Sequence, residues 1–565
     1  MWKPHLFFYV IIAAFIVRLV GLSFGLPFRY HEDEPIIVNY ALSYGTGDFN
    51  PRMFNVPPLL SYILFFEYGL FYLTGSILGI FKDVKDFGYL YLNDPSIFHL
   101  IGRVTFGVIP GTLSVLFLYQ LGKKVFDERT GLIAASFLAI NFLHVRDSHY
   151  IYFDIPLTMC LIILFIKSVD FINTNSRRDY IWAGVLVGVV TGIKYFGPLL
   201  APFIIAVFAH NFISYRKETL RNIQNTCLFL LVSIITFFVL NPFAFLKYRE
   251  FLRTLSRFPV HSQDIWFHLN VSLAGSLGLL MLFCGLTGLC IAVTKRNKVA
   301  CLLSVFVISY YIIIVRNSQG SERYVMPLVP VLLLFAGYFT SILSEYMKRS
   351  PVKQAVFISL LFLIVFPSVY KVFLTDKLFL ATDTRTKAYR WVKQNVSPNS
   401  TISMDATSSC FPKLEKSKKQ IREAYDDTRN ITFKPATKSL DFKKELLLSN
   451  SRDSESTYFL YYMRKSGIRG FHDVYPDMLI EFDELSKRDV EYVIVSNILS
   501  DERYNDFVRE LRNKFRLVVS FSPYVKQIRR IKSEEDTVLP AASFSMKELR
   551  SRKSFGPYIE IYRML

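Results

Sequence analysis

The chain has 565 residues, 52% of them hydrophobic, and carries 66 Lys and Arg against 46 Asp and Glu for a formal net charge of +20. Many of the basic residues lie in short stretches between apolar runs, which excludes nucleic acid as a partner and favours membrane lipids and a phosphorylated substrate. Six cysteines without zinc or disulfide spacing exclude a metal module and a cross-linked scaffold.

Apolar runs of about 20 residues, enough for a helix to cross roughly 30 Å of hydrocarbon, fill residues 5–374 and then stop. That change divides the chain into a transmembrane domain, 1–374, and an extracytoplasmic domain, 375–565. Lys3 and the apolar run behind it look like a signal sequence, but no small-residue cleavage site follows and Arg18 interrupts the run. An uncleaved signal anchor is expected.

Spans are expected at 6–25, 96–121, 131–146, 155–172, 180–196, 198–213, 225–246, 271–293, 299–315, 325–345 and 354–374. Five cysteines, Cys160, Cys227, Cys284, Cys290 and Cys301, fall in these spans and read as small buried hydrophobes; only Cys410 lies beyond. With the N-terminus in the cytoplasm, the inner loops hold Lys123, Lys124 and Arg129; Arg177 and Arg178; Arg216, Lys217 and Arg221; Lys295, Arg296 and Lys298; and Lys348, Arg349 and Lys353. The opposite loops are poor in such residues, which sets the orientation.

Residues 57–81 are apolar enough to span, but a span there would turn every basic loop outward, so the segment is expected in or against the outer interface. Ile36, Ile37, Tyr40, Ala41 and Tyr44, just before it, have the spacing of an in-plane amphipathic helix. In the tail, 383–395 and Asp501 to Phe515 read as helices, and Thr401 to Met404, Val490 to Val495, Leu517 to Phe521 and Tyr558 to Tyr562 as strands. The expected fold is an α-helical polytopic membrane domain of about eleven transmembrane helices with in-plane outer-face helices. A small α/β extracytoplasmic domain follows it.

Three groups of residues can carry chemistry, and all face outward in this topology. His31-Glu32-Asp33-Glu34-Pro35 puts three carboxylates at a membrane surface, where mutual repulsion and partial desolvation suit a general base or a cation site. A solvated acidic loop is the plainer alternative. Arg146-Asp147-Ser148-His149-Tyr150-Ile151-Tyr152-Phe153-Asp154 forms the turn before the fourth span, where Asp154 could simply favour a helix N-terminus and His149 could be a structural hydrogen-bonding residue. Lys194-Tyr195, Arg316 and Arg323-Tyr324 are cations in loops that otherwise avoid them. They are either snorkelling to headgroups or clamping a phosphate, since a cation about 4 Å from a phosphate is worth about 4 kcal/mol at an effective dielectric of 20. Sugar transfer from a lipid phosphate needs such a set: a base for the acceptor hydroxyl, cations for the departing phosphate, and a bilayer for the lipid tail.

These pieces, in this order, resemble the polytopic glycosyltransferase superfamily that includes protein O-mannosyltransferases and lipid A aminoarabinose transferases. Asp33-Glu34 resembles its acidic pair, and Gly47-Asp48-Phe49-Asn50-Pro51 with Pro57-Pro58-Leu59-Leu60-Ser61-Tyr62 resembles the continuation of that loop. His149 to Asp154 with Pro156-Leu157-Thr158, then Lys194-Tyr195, then Arg323-Tyr324 through Pro330, resemble later signatures. Asp383-Thr384-Arg385 with Ala388 and Trp391-Val392 resembles the start of the outer domain in bacterial members. The resemblance implies inverting transfer from a polyprenyl-phosphate sugar to a hydroxyl-bearing acceptor. In it Asp33 is the base and Glu34 shapes the site, while Lys194, Tyr195, Arg323 and Tyr324 face the donor phosphate. His31, Arg146, His149 and Asp154 line the pocket. Val56 departs from the Lys that aminoarabinose transferases carry before Pro-Pro-Leu, so lipid A is not implied as acceptor. The expected setting is a bacterial inner membrane, crossed many times.

No cofactor and no metal are expected. The alternatives are an oligosaccharyltransferase-like or glycan-polymerase-like relative, which would hold a divalent cation on its acidic motif, and a lipid-linked sugar transporter. A transporter would place its charges near the bilayer midplane, with repeat symmetry; no repeat is present and the charges gather at one face.

Overall fold

The structure, a computed structural model, describes residues 4–31, 33–52, 54–256, 264–317, 321–348, 350–405, 411–427, 437–449, 457–463, 482–500, 504–526 and 545–565. The chain folds into two compact units: one made of Met1–Leu22, Asn50–Leu64 and Ile101–Thr375, the other of Ser23–Phe49, Phe65–Leu100 and Asp376–Leu565.

The first unit is helical. Across the chain, and among the described residues, eight helices are long and apolar enough to cross a membrane, or nine when the bent pair His268–Leu277 and Leu279–Thr294 counts as one. That pair turns by 104° at Gly278, whose φ of +80° a side chain would oppose. The difference from eleven has local causes. The first helix, Pro4–Leu19, has 16 residues and falls short of a full span. Arg177–Lys194 carries Arg177, Arg178, Asp179 and Lys194 in its 18 residues and is too polar. The run 131–146 is broken into Glu128–Ala139 and Phe142–Asp147. Conversely, Leu59–Ile77 is one helix of 19 residues with the length and apolarity of a span.

Buried Arg18 lies at the break in 131–146. Its guanidinium donates to Ala14 O at 2.8 Å, to Ala139 O at 3.3 Å and to Leu138 O at 3.5 Å, and meets His144 Nδ1 at 2.9 Å. An arginine inside an apolar helix thus supplies donors to the last carbonyls of a neighbouring one. Asn141 starts the next helix, accepting from His144 N through its side chain.

Close helix packing is carried by small residues. A Cβ on Gly184 or Gly188 would come within 2.8 Å of Phe229 O or Ser233 O, so Arg177–Lys194 packs backbone to backbone on Thr219–Leu240. Cys160 and Cys284 are buried as expected, but Cys227 and Cys290 sit on exposed helix surfaces, which corrects the reading of all five as buried hydrophobes. Their positions on the outer flanks of Thr219–Leu240 and Leu279–Thr294 explain it.

The second unit contains a five-stranded sheet of order β2-β1-β3-β5-β4. Its strands are β1 Thr401–Asp405, β2 Phe459–Met463, β3 Tyr492–Val495, β4 Phe515–Phe521 and β5 Ile559–Met564. β1 runs parallel to β2 and β3, while β5 runs antiparallel to β3 and β4. Alternation along β1 sends Ile402 and Met404 to one core with Ala388 and Val392 of helix Thr384–Asn395. Val493 and Val495 of β3 serve a second core with Phe507 and Leu511. The expected helix from Asp501 is described only from Asn505, to Lys514, since 501–503 lie outside the described residues.

Ser23–Phe49 and Phe65–Leu100 belong to this same unit. Helix Val84–Asn93 packs on Thr437–Ser449, where Lys85 pairs with Glu445 at 2.7 Å and a Cβ on Gly88 would reach Leu446 Cδ1 at 2.5 Å.

Candidate active site

The expected site residues are divided between the two units: His31, Asp33 and Glu34 in the second, and Arg146, His149, Asp154, Lys194, Tyr195, Arg323 and Tyr324 in the first.

In the second unit, Asp33 precedes helix Glu34–Ser43, with Pro35 in the first turn. Proline fixes φ there and needs no N–H partner, so the helix starts where the acidic run ends. Carboxylates at that end are favoured by the helix dipole. Asp33 N donates to His31 Nδ1 at 3.2 Å. Glu34 and His31 are buried, whereas Asp33 keeps partial access to its surroundings and its side chain does not cap the helix. Of the two carboxylates, Asp33 is therefore the more accessible. Glu32 lies outside the described residues.

Tyr30, next to this run, is fully buried, with Arg385 3.8 Å over its ring and its hydroxyl 3.0 Å from Thr386 Oγ1. Burial pushes the Tyr30 phenol up, and the Asp383 charge adds to that, so the ring stays neutral. Arg385 is itself held by Asp383 through two bonds, Nε to Oδ1 at 2.9 Å and Nη2 to Oδ2 at 2.7 Å. Asp383 also caps the helix by accepting from Arg385 N at 2.8 Å. The Asp383-Thr384-Arg385 motif thus braces the segment that carries Asp33.

In the first unit, Lys194 Nζ donates to Asp154 Oδ1 at 2.5 Å and lies 5.3 Å from the centre of the Tyr324 ring. Asp154 is buried and Lys194 is part-exposed, so a buried carboxylate holds the ammonium at an accessible edge. Asp154 Oδ2 is buried without a hydrogen-bond partner among the described residues. Tyr310 hydroxyl donates to Tyr324 O at 2.9 Å, fixing the backbone of Glu322–Leu328 at this point. Arg323 sits 4.5 Å over the Tyr152 ring. Tyr195 caps helix Arg177–Lys194 in the left-handed region at φ +37°, and its ring packs on Phe237 and Phe251.

Arg146 is buried between two acids: Nε donates to Asp147 Oδ1 at 2.7 Å and Nη1 to Glu322 Oε2 at 3.3 Å. Glu322 immediately precedes Arg323 and Tyr324, so this ion pair anchors the segment that presents them. The sequence reading missed Glu322; its adjacency to Arg323-Tyr324 was the only signal, and its partner lies 176 residues away. His149 faces two carbonyls, Val145 O from Nδ1 and Val20 O from Nε2, both at 2.9 Å. Its ring joins the turn after Phe142–Asp147 to the end of the first helix. Among the described residues, no group of three or more His, Cys, Asp and Glu side chains is arranged to hold a metal ion.

Residues 99–245, about a quarter of the chain, match the family model of dolichyl-phosphate-mannose-protein mannosyltransferases. ArnT from Cupriavidus metallidurans in the apo state aligns over 91% of this chain and 95% of its own, with a TM-score of 0.52 at 14% identity. The chain shares its fold with ArnT. ArnT bound to undecaprenyl phosphate aligns over the same shares, with a TM-score of 0.50 at 13% identity. The Archaeoglobus fulgidus oligosaccharyltransferase in the apo form aligns over 89% of this chain and 71% of its own, with a TM-score of 0.49 at 12% identity. No curated protein sequence matches the chain. The fold and the apolar helices together make this a multi-pass membrane protein.

Proposed function

We propose that the chain is an inverting glycosyltransferase that moves a sugar from a polyprenyl-phosphate carrier to a hydroxyl of a protein, lipid or glycan at the outer face of a bacterial inner membrane. The Asp33 carboxylate takes the acceptor proton as the acceptor oxygen attacks the anomeric carbon. The bond from that carbon to the phosphate oxygen breaks on the opposite side, so configuration inverts and polyprenyl phosphate leaves. Lys194 and Arg323 balance the charge that builds on the departing phosphate, with the Tyr324 hydroxyl and Tyr195 beside them. Asp154 holds Lys194 directly, and Arg146 anchors the segment of Arg323 through Glu322. In this reading the C-terminal domain is extracytoplasmic.

The observation that carries the reading is Lys194, held at an accessible edge by buried Asp154 and facing Tyr324. Support also comes from the shared fold with ArnT, which binds undecaprenyl phosphate. The test is to present purified full-length protein in lipid with a panel of polyprenyl-phosphate sugars and measure release of polyprenyl phosphate. Consumption of one donor supports the proposal. A panel left intact, with and without candidate hydroxyl acceptors, contradicts it.

A further inference from the structure

The apolar surface of helix Thr219–Leu240 does not stop where the helix does. Leu230, Leu231, Ile234, Ile235 and Val239 are exposed along it, and Phe245 and Leu246 continue the strip at 66% and 62% exposure through Pro242–Leu246. The chain then enters the eight-residue helix Tyr248–Leu255.

At 100° per residue this helix has two sides. Tyr248, Phe251, Leu252 and Leu255 fall on one arc, and Arg249, Glu250, Arg253 and Thr254 on the other. The apolar arc is itself divided. Phe251 faces protein, with ring contacts to Phe54 at 5.7 Å and Tyr195 at 5.6 Å. Tyr248 and Leu252 are more than half exposed. Arg249 and Arg253, one turn apart, border the exposed part of that arc, and both are exposed together with Lys247. Arg249 Nε donates to the Tyr248 hydroxyl at 3.2 Å, which lays the guanidinium beside the aromatic rim.

We propose that Pro242–Leu255 lies in the plane of the membrane surface and holds anionic phospholipid headgroups with Lys247, Arg249 and Arg253. An exposed apolar edge, basic residues at its border and continuity with a membrane-length helix are what an in-plane helix requires. The opposite edge, through Phe251, fixes the helix to the protein. Basic residues near an anionic surface strengthen binding on the order of fivefold each at low salt. The single acid, Glu250, subtracts from three cations, so a clear preference for anionic over zwitterionic lipid follows.

The test places a fluorophore at Leu252→Cys in full-length protein whose native cysteines have been replaced, reconstituted in phosphatidylcholine vesicles. Brominated phosphatidylglycerol or brominated phosphatidylcholine is added as quencher. At low salt, phosphatidylglycerol should quench at least about fivefold more per mole, and the excess should vanish at high salt. It should also vanish in the Lys247→Gln, Arg249→Gln, Arg253→Gln variant, whose substituted side chains are exposed and leave the Phe251 contacts intact. Equal quenching by both lipids would overturn headgroup binding. Absence of quenching by either would overturn the in-plane placement, and a preference that survives the triple variant would overturn the assignment to these three residues.

Discussion

The Lys194 ammonium has three N–H donors, and one of them goes to Asp154. The others are available to a phosphate at the part-exposed end of the side chain. Lys194→Ala should therefore lower kcat/KM for the lipid donor by about 10- to 100-fold, the range for a lost hydrogen bond to a charged group. Arg323→Ala should do the same. Unchanged donor kinetics in both variants would leave these cations as headgroup anchors. Because the Lys194 variant also strands a buried carboxylate, Asp154→Ala and Lys194→Ala should not add. A double-mutant cycle on stability should show coupling of about 1–3 kcal/mol, and additivity would mean that the pair does not hold together. The residue types of this cluster were legible in the sequence. The pairing of Asp154 with Lys194 was not. Sequence offered a helix dipole for Asp154, and only the fold brings residues 40 apart into a 2.5 Å contact.

At the level of elements, apolar run length located most spans but could not see what breaks them. The end of the 131–146 run is set by Arg18, an arginine more than a hundred residues away, and the bend at Gly278 by a backbone angle. The tail strands β1, β3, β4 and β5 were visible as β-branched and aromatic runs, whereas β2, Phe459–Met463, was not recognised. The close packing of Arg177–Lys194 was written in the sequence as Gly184, Gly188 and Gly192, one every fourth residue, a spacing that a search for spans by length passes over. Gly188→Leu should force that helix away from Thr219–Leu240 and destabilise the protein by about 1–3 kcal/mol or more in detergent unfolding. Trp182→Leu, on the exposed flank of the same helix, should be within about 0.5 kcal/mol of wild type. Similar losses for the two would contradict the glycine contact. In the second unit Gly556 has φ +93°, and an added Cβ would run into Thr384 and Asp383. Gly556→Ala should loosen the brace on Tyr30, seen as a lower melting temperature, and an unchanged melting temperature would count against it.

For the whole molecule, composition and charge placement were enough for a many-spanning membrane protein with an α/β tail, and ordered motifs pointed to the fold it shares with ArnT. They could not give the grouping in which Ser23–Phe49 and Phe65–Leu100 join the C-terminal sheet in one compact unit, because that depends on tertiary contacts such as Arg385 on Tyr30. Loop charge does predict sidedness. A single cysteine in 122–130 should resist an impermeant thiol reagent in intact cells, and one in 420–427 should react. The reverse pattern would invert the topology and place the acidic run at the wrong leaflet.

The claim on which all of this converges is that Asp33 serves as the base for transfer from a lipid-phosphate sugar. The direct measurement is turnover of the consumed polyprenyl-phosphate sugar by purified wild type and Asp33→Asn, with monodispersity and melting temperature recorded for both. The account predicts that Asp33→Asn keeps the folded state and loses at least about 100-fold in kcat, the lower end of what a positioned base contributes. A folded Asp33→Asn protein that turns over at the wild-type rate would contradict it.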